Sequence, residues 1–369
     1  MLVACPGLGH VSRGFETFAR ECFDALSRRP ELELELAKGA GPAHGREHTV
    51  RIVRRDRRIA GALGRLRGRD GYFVEQLTFA AGLVPLIRAE QPEVVLFSDW
   101  TVGAALGRWR RLAGGHFKLL LSNGAPGPPP YNAAIDHVQQ VTPTLHEIAL
   151  GAGEPPARHS MVPYGLEVRP SFDPVPPAER RARRTALGLP ADRAIVLSVA
   201  ALNRWLKRLD YLIEEVAALP APRPHLVMLG QAEGETAGLR ALARERLGPA
   251  GFTMTTVDAC AVRDYYLAAD AFVLSSTSEG LGRVLLEALA AGLPVLAHDY
   301  PIAHFVLGPH GSFADLRERG ALTALLARIG DDDLGPVLQR ERHRFVYDNF
   351  SWDALTPRYV EMFRRCAAG

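Results

Sequence analysis

The chain has 369 residues, 47% hydrophobic and 23% charged, the composition of a folded globular protein long enough for two domains rather than one. Disorder, a collagen helix and a disulfide scaffold are excluded, and a formal net charge of +3 is too small to argue for a nucleic-acid partner. From the N-terminus, Leu2–Cys5 reads as a short apolar strand, followed by a loop over Pro6–Gly14. Phe15, Phe18, Ala19, Cys22, Phe23 and Leu26 then recur at helical spacing. Glu31–Leu36 (ELELEL) alternates strictly, which predicts a strand with one wet face. Val94–Ser98 and Lys118–Ser122 are further strands, the first expected to be buried on both faces. Val138–Thr142 and Ser160–Pro163 are available to complete the sheet.

Pro170–Pro177 (PSFDPVPP) continues neither a helix nor a central strand and marks the expected interdomain linker. Beyond it the alternation restarts. Ala194–Val199, His225–Gly230, Phe252–Val257, Ala271–Ser275 and Pro294–Ala297 read as strands with helices between them, among these one through Leu209, Leu212, Ile213 and Val216. The pattern predicts an α/β protein of two doubly wound, Rossmann-like domains with parallel sheets, residues 1–170 and 178–349. Ligands in such sheets sit at the carboxyl ends of the strands, so a cleft between the domains suits a substrate with two unlike halves. Asn349–Phe363 (with Leu355, Tyr359 and Phe363 at helical spacing) closes the chain as a helix. Cys5, Cys22, Cys260 and Cys366 form no CxxC pair, so neither zinc nor redox chemistry is indicated. No stretch is apolar enough to span a bilayer and no signal-peptide pattern opens the chain, so a soluble cytoplasmic protein is expected.

The densest chemical signal lies at 279–287. After the strand Ala271–Ser275 come Ser276-Thr277-Ser278-Glu279-Gly280-Leu281-Gly282-Arg283, then a helix over Val284–Ala291. Gly280 and Gly282 let the backbone approach a ligand, and the N–H groups of a helix start attract anions. Glu279 can cap that helix or bind sugar hydroxyls. Glu287, among Leu285, Leu286, Ala288 and Leu289, is either solvated or needs a partner such as ribose hydroxyls.

The string EGLGRVLLEALAAGLPVLA resembles the Glu-x7-Glu signature of glycosyltransferase family 4, retaining enzymes with two facing Rossmann-like domains (the GT-B fold). Val199–Arg208 (VAALNRWLKR) resembles the family's donor-diphosphate loop, where Lys207 matches the lysine. The family's Gly-Arg-Leu is Ala200-Ala201-Leu202 here, leaving Arg204 as candidate for the arginine. Val162–Glu167 and Phe350-Ser351-Trp352 resemble the elements on either side of the second domain. The latter implies a C-terminal helix, within 350–369, that crosses back to complete the N-terminal domain.

The first half carries a weaker signal. Gly7-Leu8-Gly9-His10-Val11-Ser12 is an imperfect dinucleotide fingerprint, with Ser12 at the third glycine position. It also resembles the family's glycine loop, which implies that Gly7 and Gly9 face donor and acceptor. Ser12 is a possible helix cap, and His10 is either a substrate contact or, as is commoner for a lone loop histidine, structural. Asn123, in Leu121–Pro126, stands where many family members carry a histidine that contacts the donor sugar. Arg51–Arg69 (RIVRRDRRIAGALGRLRGR) is strongly basic. It is readable as a peripheral membrane contact or, because its apolar residues are few and small, as a solvated helix face.

The resemblance implies a retaining, metal-independent transfer of sugar from a nucleoside-diphosphate donor to an acceptor hydroxyl of a small molecule, glycan or lipid. No cofactor is implied beyond the donor itself. Glu279 would position the sugar, Glu287 hold the ribose, and Arg204 and Lys207 stabilise the leaving phosphate. The rivals are a nucleotide-sugar epimerase of the same fold, which lacks an evident acid/base pair, and a nicotinamide-dependent dehydrogenase. The second strand ends Leu36-Ala37-Lys38, without the acid a dehydrogenase would place there.

Overall fold

Short strands bounded by loops, most of them followed by a helix, build two separate parallel sheets. The computed structural model describes residues 1–11, 14–66, 68–124 and 129–369. It divides into unit 1, residues 1–167 with 352–369, and unit 2, residues 168–351.

Unit 1 runs β1 (Leu2–Cys5), α1 (Gly14–Leu26), β2 (Glu35–Lys38), β3 (Glu47–Thr49), α2 (Arg58–Arg65), α3 (Gly71–Glu90), β4 (Val94–Phe97), α4 (Trp100–Ala113), β5 (Lys118–Asn123), β6 (His137–Gln140), α5 (Pro143–Gly151) and β7 (His159–Met161). The sheet order is β3-β2-β1-β4-β5-β6-β7, with every pair parallel. Leu2, Ala4, Val95 and Phe97 join Phe79 and Leu83 of α3 and Leu106 of α4 in one core. The intervening Val3 and Leu96 point to the other face. The ELELEL segment enters the sheet late. The strand starts at Glu35 rather than Glu31 and runs on to Lys38, because β2 lies between β1 and β3 and pairs there as Leu36 with Val3 and Glu47. Glu33 stays outside and accepts the Met1 ammonium on its carbonyl.

Unit 2 runs α6 (Pro177–Ala186), β8 (Ile195–Val199), α7 (Leu209–Ala217), β9 (His225–Leu229), α8 (Thr236–Leu247), β10 (Phe252–Thr255), α9 (Ala259–Ala268), β11 (Ala271–Leu274), α10 (Arg283–Ala290), β12 (Val295–His298), α11 (Pro301–Leu307), β13 (Gly311–Ala314), α12 (Ala321–Leu326) and α13 (Pro336–Phe350). Its order is β10-β9-β8-β11-β12-β13, again all parallel. Leu212, Ile213 and Val216 of α7 cover Leu226, Met228, Val273 and Leu296. The proline-rich segment packs within this unit: Phe172 stacks on His343 of α13 at 4.7 Å, and the Val175 N–H donates to Gln339 at 3.0 Å. The division between the units falls earlier, after Glu167.

The last helix, α14 (Trp352–Ala368), belongs to unit 1. Trp352 stacks on Phe18 and donates its indole N–H to Glu21 at 3.3 Å. Gly165 makes room for that ring, since a Cβ there would stand 2.4 Å from it. Tyr359 is fully buried, donating to the Pro163 carbonyl and accepting from Gln139, both at 2.9 Å. Among the described residues no helix is long and apolar enough to cross a membrane.

Candidate active site

In each sheet the strand order reverses direction once: between β1 and β4 in unit 1, and between β8 and β11 in unit 2. The loops leaving two such strands part from each other and open a crevice at their carboxyl ends. In unit 2 those loops are 200–208 and 275–282, and they carry most of the predicted donor residues.

Lys207 Nζ donates to Glu279 Oε1 at 2.5 Å across this crevice. Glu279 also accepts from Ser276 Oγ at 2.5 Å. Both charged side chains are largely withdrawn from water, 17% and 14% exposed. The loops are themselves tied together. Ser275 Oγ donates to the Lys207 carbonyl at 2.6 Å, and Asn203 Oδ1 accepts the Lys207 N–H at 2.9 Å. Arg208 follows in the left-handed region, φ +50°, a conformation that a side chain adopts only where neighbours enforce it. Here its guanidinium is held by the Leu316 carbonyl at 2.6 Å and the Tyr211 ring.

Glu279 is thus no helix cap. The residue before α10 is Gly282, φ +75°, and no side chain caps the helix. Its first-turn N–H groups start beside the Lys207–Glu279 pair, an arrangement suited to an anion. Leu281 is 3% exposed and serves as a core plug, so any ligand contact by Gly280, Leu281 and Gly282 is made by backbone. Glu287 is half-buried, not solvated, and its carboxylate accepts from Tyr266 OH at 3.0 Å. Burial first and Glu287 second push the Tyr266 phenol far above its ordinary value. Arg204 is placed differently from Lys207. It is exposed, its backbone N–H bonds Glu235, and its guanidinium lies beside Gly238 in the first turn of α8. Among the described residues it makes no ion pair with Glu279.

In unit 1 packing against backbone demands glycine at Gly9, whereas Gly7 sits against the end of the flexible Glu16 side chain. A Cβ on Gly7 would meet the Glu16 carboxylate at 2.0 Å, and one on Gly9, φ +95°, the Ala40 carbonyl oxygen at 2.1 Å. His10 Nε2 lies 3.1 Å from Glu75 Oε2, with the histidine side chain 4% exposed and the glutamate wholly buried. Burial alone would raise the Glu75 carboxyl, but bonds from the Arg55 side chain and backbone and from His10 hold it below the usual carboxylate value. Asn123 is buried at the end of β5. Its amide nitrogen donates inward, to Gln140 at 2.8 Å and Tyr131 OH at 3.2 Å. Ser12, Ala125 and Pro126 lie outside the described residues.

Residues 179–347 match the family described as Glycosyl transferases group 1. The matched segment contains Arg204, Lys207, Glu279 and Glu287, while Gly7, Gly9 and Asn123 precede it. Among curated relatives, the chain is 32% identical over 184 residues to the lipopolysaccharide core biosynthesis glycosyltransferase LpsE of Rhizobium meliloti, covering 48% of this chain and 52% of that protein. It is 28% identical over 236 residues to a D-inositol 3-phosphate glycosyltransferase of Jonesia denitrificans, covering 60% and 54%. The chain therefore spans about half the length of these relatives. Solved structures match over the whole chain. Sucrose-phosphate synthase from Thermosynechococcus elongatus gives a TM-score of 0.78 at 20% identity, covering 100% of this chain and 99% of that one. Anabaena HepE in complex with UDP and glucose gives 0.74 at 17%, covering 99% of both. At such identities the likeness establishes the fold, GT-B, with two Rossmann-like parallel-sheet domains.

Within the matched segment, three residues escaped sequence reading. Ser276 and Tyr266 sit as ordinary polar residues in loop and helix, and only the fold brings them to Glu279 and Glu287. Tyr300, after β12, keeps its hydroxyl buried without a hydrogen-bond partner among the described residues. Burial, and then Glu279, push that phenol well above its usual value. A Tyr just past the carboxyl end of a strand in a doubly wound sheet was the available signal.

Proposed function

We propose that the protein is a retaining glycosyltransferase that moves a sugar from a nucleoside diphosphate to an acceptor hydroxyl in the cytoplasm. The observation that carries the reading is the Lys207–Glu279 pair across the β8/β11 crevice, beside the uncapped start of α10. The diphosphate would take Lys207 and the α10 N–H groups, leaving Glu279 to accept from sugar hydroxyls and Glu287 from the ribose. The bond from the anomeric carbon to phosphate oxygen breaks as the acceptor oxygen bonds to the same face. The acceptor proton passes to the departing phosphate. Lys207 and the helix start offset the charge on the leaving group, so the proposal assigns no step to a metal ion. Asn123, Gly7 and Gly9 enter the same proposal as the unit 1 contribution to substrate, and Arg204 as a second cation reaching the diphosphate once donor is bound.

A thermal-shift screen against UDP-, GDP-, ADP- and TDP-sugars identifies the donor, since a ligand bound by the folded state raises Tm. The anomeric configuration of the product, read by NMR, then tests retention. Undiminished turnover in excess EDTA tests metal independence. Inversion at the anomeric carbon refutes the retaining assignment, and formation of an epimer in the absence of acceptor refutes glycosyl transfer.

A further inference from the structure

Helix α2 packs into unit 1 through its smallest residues. Ala60 and Gly64 are its buried positions, and a methyl on Gly64 would stand 2.5 Å from the Asp70 carbonyl oxygen. Gly71, at the start of α3, is in contact with the helix as well, with a Cβ there 3.4 Å from the Ala60 Cβ. The large apolar residues are left outside: Ile59, Leu63 and Leu66 are 59%, 43% and 83% exposed. Steps of four and three residues line them up in one row. This inverts the usual amphipathic helix, in which the large apolar side chains face the core. Apolar residues that looked too few for a surface contact in the linear sequence are thus gathered into one continuous ridge.

Charge accompanies the ridge. Arg57, Arg58, Arg65 and Arg69 are exposed, and among the described residues none of the four makes an ion pair. Residues 51–69 hold eight arginines and one aspartate, whereas the whole chain is only +3. The rest of the protein is therefore net acidic, and this segment holds its positive excess.

We propose that α2 and its flanking arginines dock on an anionic lipid surface, the ridge of Ile59, Leu63 and Leu66 entering the headgroup–acyl boundary while the arginines meet lipid phosphates. Both halves of the observation are needed to select that occupant. A solvated basic helix has no use for three exposed aliphatic residues, and an apolar protein groove would not call for unpaired arginines beside them. A short helix with three aliphatic anchors gives reversible binding that depends on anionic headgroups and weakens with salt.

The test is flotation of the full chain with vesicles of phosphatidylcholine alone and of phosphatidylcholine mixed with phosphatidylglycerol, at low and high salt. Binding to the mixed vesicles should exceed binding to the neutral ones by about tenfold or more at low salt and fall at high salt. Two variants divide the contributions: Ile59→Ser/Leu63→Ser/Leu66→Ser, and Arg57→Gln/Arg58→Gln/Arg65→Gln. Each should lose most of the binding while keeping the parent's circular dichroism and Tm, and if the serine variant misfolds, the glutamine variant still decides. A parent that floats with neither vesicle, or variants that float like the parent, overturns the proposal. So does a parent that ignores vesicles but self-associates in size-exclusion chromatography and becomes monomeric in the serine variant, since the ridge would then serve a second copy of the chain.

Discussion

Replacing Lys207 by methionine keeps the side-chain stem and removes the charge. With Nζ 2.5 Å from Glu279, the gross attraction is about 7 kcal/mol at an effective permittivity near 20. Desolvation and side-chain ordering offset most of it, leaving about 1.5–3 kcal/mol for a charge-assisted bond. Glu279 retains Ser276 as a donor, which places the stability loss of Lys207→Met near the lower figure. Catalysis should suffer more. Removing one preorganised group that meets a developing charge lowers kcat by about 10²- to 10³-fold, on the order of 3–4 kcal/mol. Urea denaturation reads the first quantity. Release of nucleoside diphosphate, with the donor chosen by thermal shift, reads the second. Lys207→Arg, which keeps a cation there, should recover most of the stability and part of kcat. A Lys207→Met enzyme with the expected shift in urea midpoint but kcat within about threefold of the parent would show that the pair only braces the two loops, and would refute the assignment to the leaving group.

Glu287→Ala should raise the donor KM by about tenfold with a smaller effect on kcat, as loss of uniform binding does. The same change at exposed Glu90 should leave both constants alone, and equal kinetics in the two variants would sink the ribose role. Gly9→Ala should destabilise unit 1 by about 2–3 kcal/mol, because strain at φ +95° adds to a clash with the Ala40 carbonyl. Gly45→Ala, also at positive φ but with nothing within 4 Å, should cost only about 1 kcal/mol; similar urea midpoints for the two variants would contradict the clash. Burial, followed by the charges of His159, Arg365 and Arg158, lowers the His137 pKa from 6.5 to about 4. Between those values the unfolded chain takes up a proton that the native ring refuses, so stability is complete above pH 6.5 and falls as pH drops, by at most about 3 kcal/mol. His137→Gln should flatten the urea midpoint across that window, and an unaltered slope would contradict this origin.

Much of the architecture was legible because parallel sheets advertise themselves. Val94–Phe97 and Ala271–Leu274 are apolar at every position, and both are buried at every position. Alternation misled at Glu31–Leu36, since it reports the periodicity of side chains and not where neighbouring strands begin to pair. The pairing partners of β2 lie outside the segment itself. At the candidate site, residue types were readable and partners were not. Glu279 next to a helix start reads equally well as a cap or as a ligand, and only the meeting of two loops 72 residues apart shows Lys207 opposite it. Arg204 and Lys207, three positions apart in one loop, diverge to α8 and to Glu279, because the chain turns between them. For Asn123 the missing information was Gln140, on the adjacent strand, which takes up the amide.

The placement of α14 carries a consequence for how the protein is made. Its Trp352 reaches Glu21 across 331 residues of chain, so a polypeptide emerging from the ribosome N-terminus first cannot finish unit 1 until all of unit 2 has been synthesised. Through that interval Phe18 waits without the Trp352 and Tyr359 rings that later flank it, an apolar surface open to chaperones or to misassociation. Premature termination directly after residue 351 would therefore leave an intact second unit attached to an unsealed first one. A helix translated after the whole of unit 2 thus closes over a surface of unit 1 made more than 300 residues earlier.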